Sequence, residues 1–186
     1  MNLANQLTML RIGLAVAVFI ALMQPTSAPH VAAFFLFLAA IITDWIDGWV
    51  ARRTNSISAF GKVADPIADK ILVLGALIAL LHTRELEIPL WGVFLILARE
   101  LLIGGLRILA SSQGKISGAE PWGKWKMGVQ SVAVLMMVAL LAAKDRVSPA
   151  LAALPYYLTV LCVVVAWGSA ALYFRQSRKM LEKTWT

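Results

Sequence analysis

Apolar residues fill six long stretches of the chain, and short polar or helix-breaking segments separate them. Each stretch approaches the ~20 residues that a helix needs to cross a bilayer. Pro25, Pro29 and the polar segments 54–58 and 111–121 are typical of connections between helices. The pattern therefore predicts an all-α fold, a six-transmembrane-helix bundle. The predicted spans are residues 7–23, 31–52, 60–82, 88–110, 124–143 and 151–174.

The segment that leads into the first span has a more polar pattern. Asn5, Thr8 and Arg11 recur every three residues, which favours a short N-terminal interfacial helix at the membrane surface. A secretory signal is the alternative, because Arg11 precedes an apolar run over residues 12–23 and small residues follow near Ser27. The regular polar spacing favours a retained helix.

Composition agrees with the pattern of spans. Hydrophobic residues make up 60% of the 186 residues, charged residues make up 15%, and the mean hydropathy is +0.78. These values predict a polytopic membrane protein, with residues 1–186 as a single membrane domain. The one cysteine, Cys162, lies in an apolar run, which excludes a disulfide framework and a cysteine metal cluster.

Lysine and arginine are distributed unevenly between the two sides of the predicted bundle. With a cytoplasmic N-terminus, the outer connections hold only Arg84, Lys144 and Arg146. The inner side then holds Arg52, Arg53, Lys62, Lys115, Lys124, Lys126, Arg175, Arg178, Lys179 and Lys183. Most of the net charge of +7 therefore faces the anionic lipids of a cytoplasmic (inner) membrane, and no nucleic-acid partner is expected.

Four aspartates interrupt the apolar pattern of the second and third predicted helices. Asp44 and Asp47 are three residues apart and Asp65 and Asp69 four apart, so each pair lies on one helix face. The short link predicts an antiparallel hairpin with both pairs near the cytoplasmic interface. A carboxylate inside a membrane costs ~2.5–3.5 kcal/mol on insertion scales. We therefore expect the four side chains to converge on bound cations.

The ligand set indicates which cations these are. Oxygen ligands alone suit Mg²⁺ or Mn²⁺ rather than zinc, and neither His30 nor His82 falls near the aspartates. Bridging carboxylates are typical of two-ion phosphoryl-transfer sites, so we expect two ions. Gly48, Ala51 and Gly61 add little bulk to the same faces and predict room for a ligand. Close helix packing is the alternative for these small residues.

The aspartates and small residues form one extended motif. It reads Asp44-x2-Asp47-Gly48-x2-Ala51-Arg52-x8-Gly61-x3-Asp65-x3-Asp69. In this motif, in its length and in its predicted helices, the chain resembles the CDP-alcohol phosphatidyltransferase family. Members of that family transfer a phosphatidyl group from CDP-diacylglycerol to an alcohol and release CMP. The resemblance implies this activity and a homodimer.

Flanking motifs narrow the resemblance to the phosphatidylglycerophosphate synthase branch of the family. They are N-x-x-T-x-x-R from residue 5, D-P-x-A-D-K ending at residue 70, A-R-E at 98–100 and G-K-x-K at 123–126. Met127 stands where that branch leads us to expect threonine. The implied acceptor is sn-glycerol 3-phosphate.

The resemblance also implies roles for individual residues. Asp69, besides binding metal, is the expected base that accepts the proton of the attacking glycerol hydroxyl. Metal ions held by the four aspartates are expected to clamp the pyrophosphate of the donor. The candidates for contacts with CDP-diacylglycerol are Asn5, Thr8, Gly48, Arg52, Ser58 and Gly61.

A second group of charged residues suits the acceptor. Glycerol 3-phosphate is a dianion, and Arg99 and Arg107 lie about two turns apart on one face of the fourth predicted helix. Lys124 and Lys126 begin the fifth. Together these four residues predict a phosphate pocket of charge-assisted donors. An ion pair of Arg99 with Glu100, and lysines that snorkel to the membrane surface, are the alternatives.

The sequence leaves three alternative functions open. A cardiolipin synthase of the same fold, or another family member with a different acceptor, would share the aspartate motif. A cation transporter also places acids inside helices, but it more often has two related halves, and only the second and third helices carry aspartates here. A membrane prenyltransferase uses aspartate-rich helices as well, although the Gly-x2-Ala-Arg-x8-Gly context argues against it.

Overall fold

The computed structural model describes the backbone of residues 3–54, 59–83, 85–112, 121–144 and 148–182, and the side chains of residues 6–44, 64, 66–83, 85–110, 125–144 and 148–175. Its α-helices are α1 Leu3–Leu22, α2 Ser27–Thr54, α3 Ala59–His82, α4 Leu90–Ser112, α5 Pro121–Ala142 and α6 Leu154–Glu182. A 3₁₀ helix over Pro149–Leu151 precedes α6. No strand occurs in these ranges, which confirms the all-α prediction.

Helix α1 runs without a break from Leu3 to Leu22. The predicted interfacial lead-in therefore forms the first turns of the helix that also contains the first apolar stretch. Helix α2 begins at Ser27, before the predicted span, because Pro29 in its first turn removes no intrahelical hydrogen bond. Helix α3 contains Pro66 and continues past it to His82.

Three described segments are long and apolar enough to cross a membrane, namely Ser27–Asp44, Trp125–Ala142 and Pro149–Arg175. A shorter apolar helix covers Gln6–Leu22. Helices α3 and α4, with 24 and 23 residues, are also long enough to cross a membrane, but charged residues interrupt their apolar sequence. The chain is thus a multi-pass membrane protein, whereas the count of six spans stays a prediction.

The chain divides into two compact units. Unit 1 comprises residues 1–87 and 134–153, and unit 2 comprises residues 88–133 and 154–186. The single membrane domain expected over residues 1–186 stays a prediction.

In unit 1, α1 packs against both α2 and α3. The contact buries large apolar side chains completely, among them Val18 and Leu22 of α1, Phe37 of α2, and Leu77 and Leu80 of α3. Helix α1 therefore holds in place the two helices that carry the predicted metal ligands.

In unit 2, α4 and α6 pack in parallel. Near their first turns the rings of Trp91 and Tyr156 meet edge to face, with centroids 6.5 Å apart. A Cβ atom on Gly92 would lie 2.6 Å from Thr159 Cγ2, so only glycine permits this approach. Further along, Ile103 of α4 forms a buried cluster with α6. Because the two helices run in the same direction, Arg99 in the middle of α4 lies beside Ala166 and Ser169 in the middle of α6.

Candidate active site

Two polar side chains of α1 lie fully inside unit 1. Thr8 and Arg11 are each 1% exposed and occupy successive turns of one helix face. Arg11 Nη1 lies 2.8 Å from Asp44 Oδ1 on α2, whose side chain is 51% exposed. Sequence reasoning did not assign Arg11 to the site, although the regular spacing of Asn5, Thr8 and Arg11 already marked it. The ion pair fixes one predicted metal ligand against α1.

The second predicted ligand with a described side chain is Asp69. It is 9% exposed on α3, in a turn that also buries Ala68. Asp47 and Asp65 lie on helical backbone of α2 and α3, but their side chains are outside the described set. The convergence of all four carboxylates therefore stays a prediction.

The chemistry of the donor set fits a hard divalent cation. Its two described members, Asp44 and Asp69, offer carboxylate oxygens, and half of the Asp44 side chain is accessible. His30 Nε2 lies 2.8 Å from Gln24 O, near the beginning of α2 and far along that helix from Asp44. His82 comes thirteen residues after Asp69 at the end of α3. Among described side chains, no three His, Cys, Asp or Glu residues cluster as a metal site.

The predicted contacts for CDP-diacylglycerol are described only in part. Thr8 is the one whose side chain is described, and it is buried. Ser58 lies outside the described residues altogether. The others are described as helical backbone alone, which places Asn5 on α1, Gly48 and Arg52 on α2, and Gly61 on α3. These assignments stay predictions.

The predicted acceptor residues belong to unit 2, where Arg99 joins α4 to α6. It is 4% exposed. Its Nε donates to Ala166 O at 3.1 Å, and its Nη2 donates to Ser169 Oγ at 2.8 Å. Its Nη1 donates to Glu100 Oε1 at 3.0 Å. The Arg99–Glu100 ion pair, the alternative noted from the sequence, is therefore present.

Glu100 also pairs with the second predicted cation. Lys126 of α5 is 2% exposed, and its ammonium donates to the same Glu100 oxygen that receives Arg99 Nη1. The structure thus brings Arg99, Glu100 and Lys126 together as a buried charge cluster. Glu100 was not among the residues predicted to bind the acceptor, although it belongs to the A-R-E motif at 98–100.

The remaining predicted acceptor residues, Arg107 and Lys124, lie between Glu100 and Lys126 along the chain. Arg107 is exposed, and its guanidinium carbon lies 6.0 Å from the ring centroid of Tyr173, a cation–π contact with α6. Lys124 lies on the helical backbone of α5, and its side chain is outside the described set. Arg99, Arg107 and Lys126 are therefore positive groups of one unit.

A sequence model of the CDP-alcohol phosphatidyltransferases matches residues 1–176. The chain belongs to the CDP-alcohol phosphatidyltransferase family. It is therefore a phosphatidyltransferase, and the resemblance of its aspartate motif to that family is confirmed. CDP-alcohol phosphatidyltransferases in general depend on divalent metal ions.

Several bacterial relatives of this phosphatidyltransferase carry the name CDP-diacylglycerol–glycerol-3-phosphate 3-phosphatidyltransferase. The Bacillus subtilis protein is 39% identical over 145 residues, which cover 72% of this chain and 74% of that protein. The Mycoplasma pneumoniae protein is 35% identical over 156 residues, which cover 79% of this chain and 66% of that protein. A Mycobacterium tuberculosis protein named probable phosphatidylglycerophosphate synthase is 41% identical over 141 residues, which cover 74% of this chain and 66% of that protein. The resemblance to that branch is confirmed as well.

The Arg11–Asp44 ion pair of this phosphatidyltransferase leads to a first prediction. Arg11→Ala should destabilise unit 1 by about 2 kcal/mol, because it removes a fully buried arginine side chain and its charged hydrogen bond to the half-exposed Asp44. The rate of CMP release should fall about tenfold as the Asp44 carboxylate loses its fixed orientation. Thermal unfolding and a CMP assay measure the two effects. Arg175→Ala, at an exposed position, is the control, and an equal response of both variants would contradict the role of Arg11.

Proposed function

We propose that this phosphatidyltransferase transfers the phosphatidyl group of CDP-diacylglycerol to sn-glycerol 3-phosphate, giving phosphatidylglycerophosphate and CMP. The observation that carries the proposal is the buried pair of cations Arg99 and Lys126, in a chain that is 39% identical to a Bacillus subtilis protein named for this reaction. Buried cations in a membrane helix bundle are costly unless they serve a site or a partner. Glu100 pairs with both of them, but the three side chains together keep a formal charge of +1, which attracts an acceptor phosphate.

The donor side of the proposal rests on the four aspartates. Asp44, Asp47, Asp65 and Asp69 would hold Mg²⁺ or Mn²⁺, and two ions suit the number of carboxylates. When bound, the ions neutralise the pyrophosphate of CDP-diacylglycerol and stabilise the departing CMP. Arg11 holds the Asp44 carboxylate in one orientation through the 2.8 Å contact. Asn5, Thr8, Gly48, Arg52, Ser58 and Gly61 are proposed to contact the donor.

The transfer itself is an in-line displacement in which Asp69 acts as general base. Its carboxylate accepts the proton of the glycerol 1-hydroxyl. The oxygen of that hydroxyl bonds to the lipid-side phosphorus while the bond from this phosphorus to the CMP oxygen breaks. Because Asp69 is buried, an attacking water has little access to this base, which favours transfer to the alcohol over hydrolysis.

Arg99, Arg107, Lys124 and Lys126 are proposed to bind the phosphate of the acceptor. A phosphate monoester is a dianion, and charge-assisted donors bind it more strongly than neutral ones. The contacts of Arg99 with Ala166 O and Ser169 Oγ fix the direction of its guanidinium. That arrangement supplies a preorganised donor in the same buried cluster as the Lys126 ammonium.

A second prediction tests these cations. Lys126→Ala and Arg107→Ala should each raise the KM for glycerol 3-phosphate about tenfold, because each removes one charge-assisted contact. The KM for CDP-diacylglycerol should stay near its original value. Lys144→Ala, which removes another paired lysine at the α5–α6 connection, should change neither constant. Unchanged acceptor KM values in the Lys126 and Arg107 variants would contradict the assignment.

The enzyme is proposed to lie in the cytoplasmic (inner) membrane with its active site near the cytoplasmic face. Support comes from the uneven distribution of lysine and arginine along the sequence. The proposal also includes a homodimer, as the resemblance implied, and surrounding membrane lipids as partners.

Purified protein in detergent offers a test of the proposed function. With Mg²⁺ added, CMP should appear when CDP-diacylglycerol and glycerol 3-phosphate are both present, and not with either one alone. A cation transporter would release no CMP. A cardiolipin synthase would release CMP with phosphatidylglycerol and not with glycerol 3-phosphate. Either result would overturn the proposal.

A further inference from the structure

Glu100 is a buried acid to which the proposed reaction gives no role. Its side chain is 8% exposed, and its Oε1 receives hydrogen bonds from Arg99 Nη1, at 3.0 Å, and from Lys126 Nζ. One carboxylate oxygen thus joins the two buried cations of unit 2. The three side chains together carry a formal charge of +1.

A buried acid is needed here whenever the acceptor is absent. Arg99 and Lys126 are 4% and 2% exposed, so water cannot solvate their charges well. A buried cation without a counter-ion is strongly destabilising, and two close together add mutual repulsion. Glu100 removes this cost in the free enzyme.

The geometry of Arg99 indicates what a bound phosphate would meet. The Nε and Nη2 groups donate to Ala166 O and Ser169 Oγ of α6, and Ser169 Oγ itself donates to Ala166 O at 2.8 Å. These bonds hold one edge of the guanidinium against α6. Nη1 is directed instead to Glu100, which also receives the Lys126 ammonium. A phosphate oxygen is an acceptor of the same kind, so it would compete with Glu100 for these donors.

We propose that Glu100 is a built-in competitor of the acceptor phosphate. Its carboxylate holds the donors of Lys126 and Arg99 until the phosphate monoester of the acceptor takes them. The inference rests on the proposed function, in which these cations bind glycerol 3-phosphate. The product, phosphatidylglycerophosphate, keeps the same phosphate monoester. Glu100 therefore limits the affinity of both acceptor and product and speeds product release.

Glu100→Gln tests the competition, because glutamine keeps the size of the side chain and removes its charge. The KM for glycerol 3-phosphate and the Ki of inorganic phosphate against it should both fall about tenfold. The KM for CDP-diacylglycerol should not change. Glu85→Gln is the matched control, since Glu85 forms an ion pair with Lys144 at 2.5 Å in the other unit. Acceptor KM and phosphate Ki values that stay the same or rise in Glu100→Gln would overturn the proposal.

Two further variants separate this inference from the function on which it rests. In a Lys126→Ala background, Glu100→Gln should lower the acceptor KM by a smaller factor than in the parent protein, because Arg99 is then the only one of the two cations that Glu100 still holds. If Lys126→Ala alone leaves the acceptor KM unchanged, the phosphate-binding role of Lys126 in the proposed function fails. If it raises that KM while Glu100→Gln has no effect, only the competitor role fails.

A stability measurement covers the case in which Glu100→Gln folds poorly. Inorganic phosphate should raise the unfolding temperature of Glu100→Gln more than that of the parent protein, since phosphate then becomes the counter-ion of the buried cations. Glu100→Asp, whose carboxylate is one methylene shorter, should lower the acceptor KM about threefold. Equal stabilisation of parent and Glu100→Gln by phosphate would contradict the competitor role.

Discussion

Asp69→Asn should abolish transfer while leaving the donor able to bind. A positioned general base contributes ~10²–10⁴-fold to a rate. The rate of CMP release should therefore fall at least ~100-fold. Asparagine has nearly the same size and cannot accept the proton of the glycerol hydroxyl. Because Asp69 is buried on α3, no bulk water replaces it as base. Steady-state CMP release and equilibrium binding of CDP-diacylglycerol are the two measurements.

Glu87→Gln, which removes an exposed acid from the connection before α4, is the matched control and should keep full activity. Thermal unfolding of Asp69→Asn shows whether the variant is folded. A folded Asp69→Asn protein with turnover within threefold of the parent would rule out a base role for Asp69.

Removal of divalent metal should have an equally large effect. After dialysis against a chelator, the protein should bind glycerol 3-phosphate but release no measurable CMP, because nothing then offsets the pyrophosphate charge. Added Mg²⁺ or Mn²⁺ should restore activity. Asp44→Asn should raise the concentration of Mn²⁺ needed for half-maximal activity by about tenfold, since one ligand loses its charge.

Binding of Mn²⁺ observed by electron paramagnetic resonance provides a readout independent of activity. Glu87→Gln again serves as the control, and its Mn²⁺ titration should match that of the parent. Full activity in metal-free protein, or identical Mn²⁺ titrations for parent and Asp44→Asn, would contradict the assignment of the aspartates.

Hydrophobic patterning was sufficient to predict where the helices lie. The span expected over residues 60–82 is α3, Ala59–His82. The last helix extends further than expected, to Glu182, because polar residues continue a helix beyond the apolar stretch. Hydropathy measures where a helix can be buried in lipid, whereas hydrogen bonds and propensity decide where it ends.

The spacing of charged residues predicted faces of helices but not their partners. Asp44 meets Arg11 because α1 packs against α2. Arg99 meets Ala166 and Ser169, which follow it by 67 and 70 residues. Contacts between distant segments depend on how helices pack, and helix periodicity carries no information about that packing. The Arg99–Glu100 pair was foreseeable as an alternative because the two residues are neighbours.

The identity of the acceptor is the central claim, and a comparison of acceptors tests it most directly. Purified protein with CDP-diacylglycerol and Mg²⁺ is given glycerol 3-phosphate, serine, inositol or phosphatidylglycerol at equal concentration, and the CMP and lipid products are measured. We predict that only glycerol 3-phosphate supports rapid CMP release, with one phosphatidylglycerophosphate formed for each CMP. Faster release with any other acceptor would contradict the account.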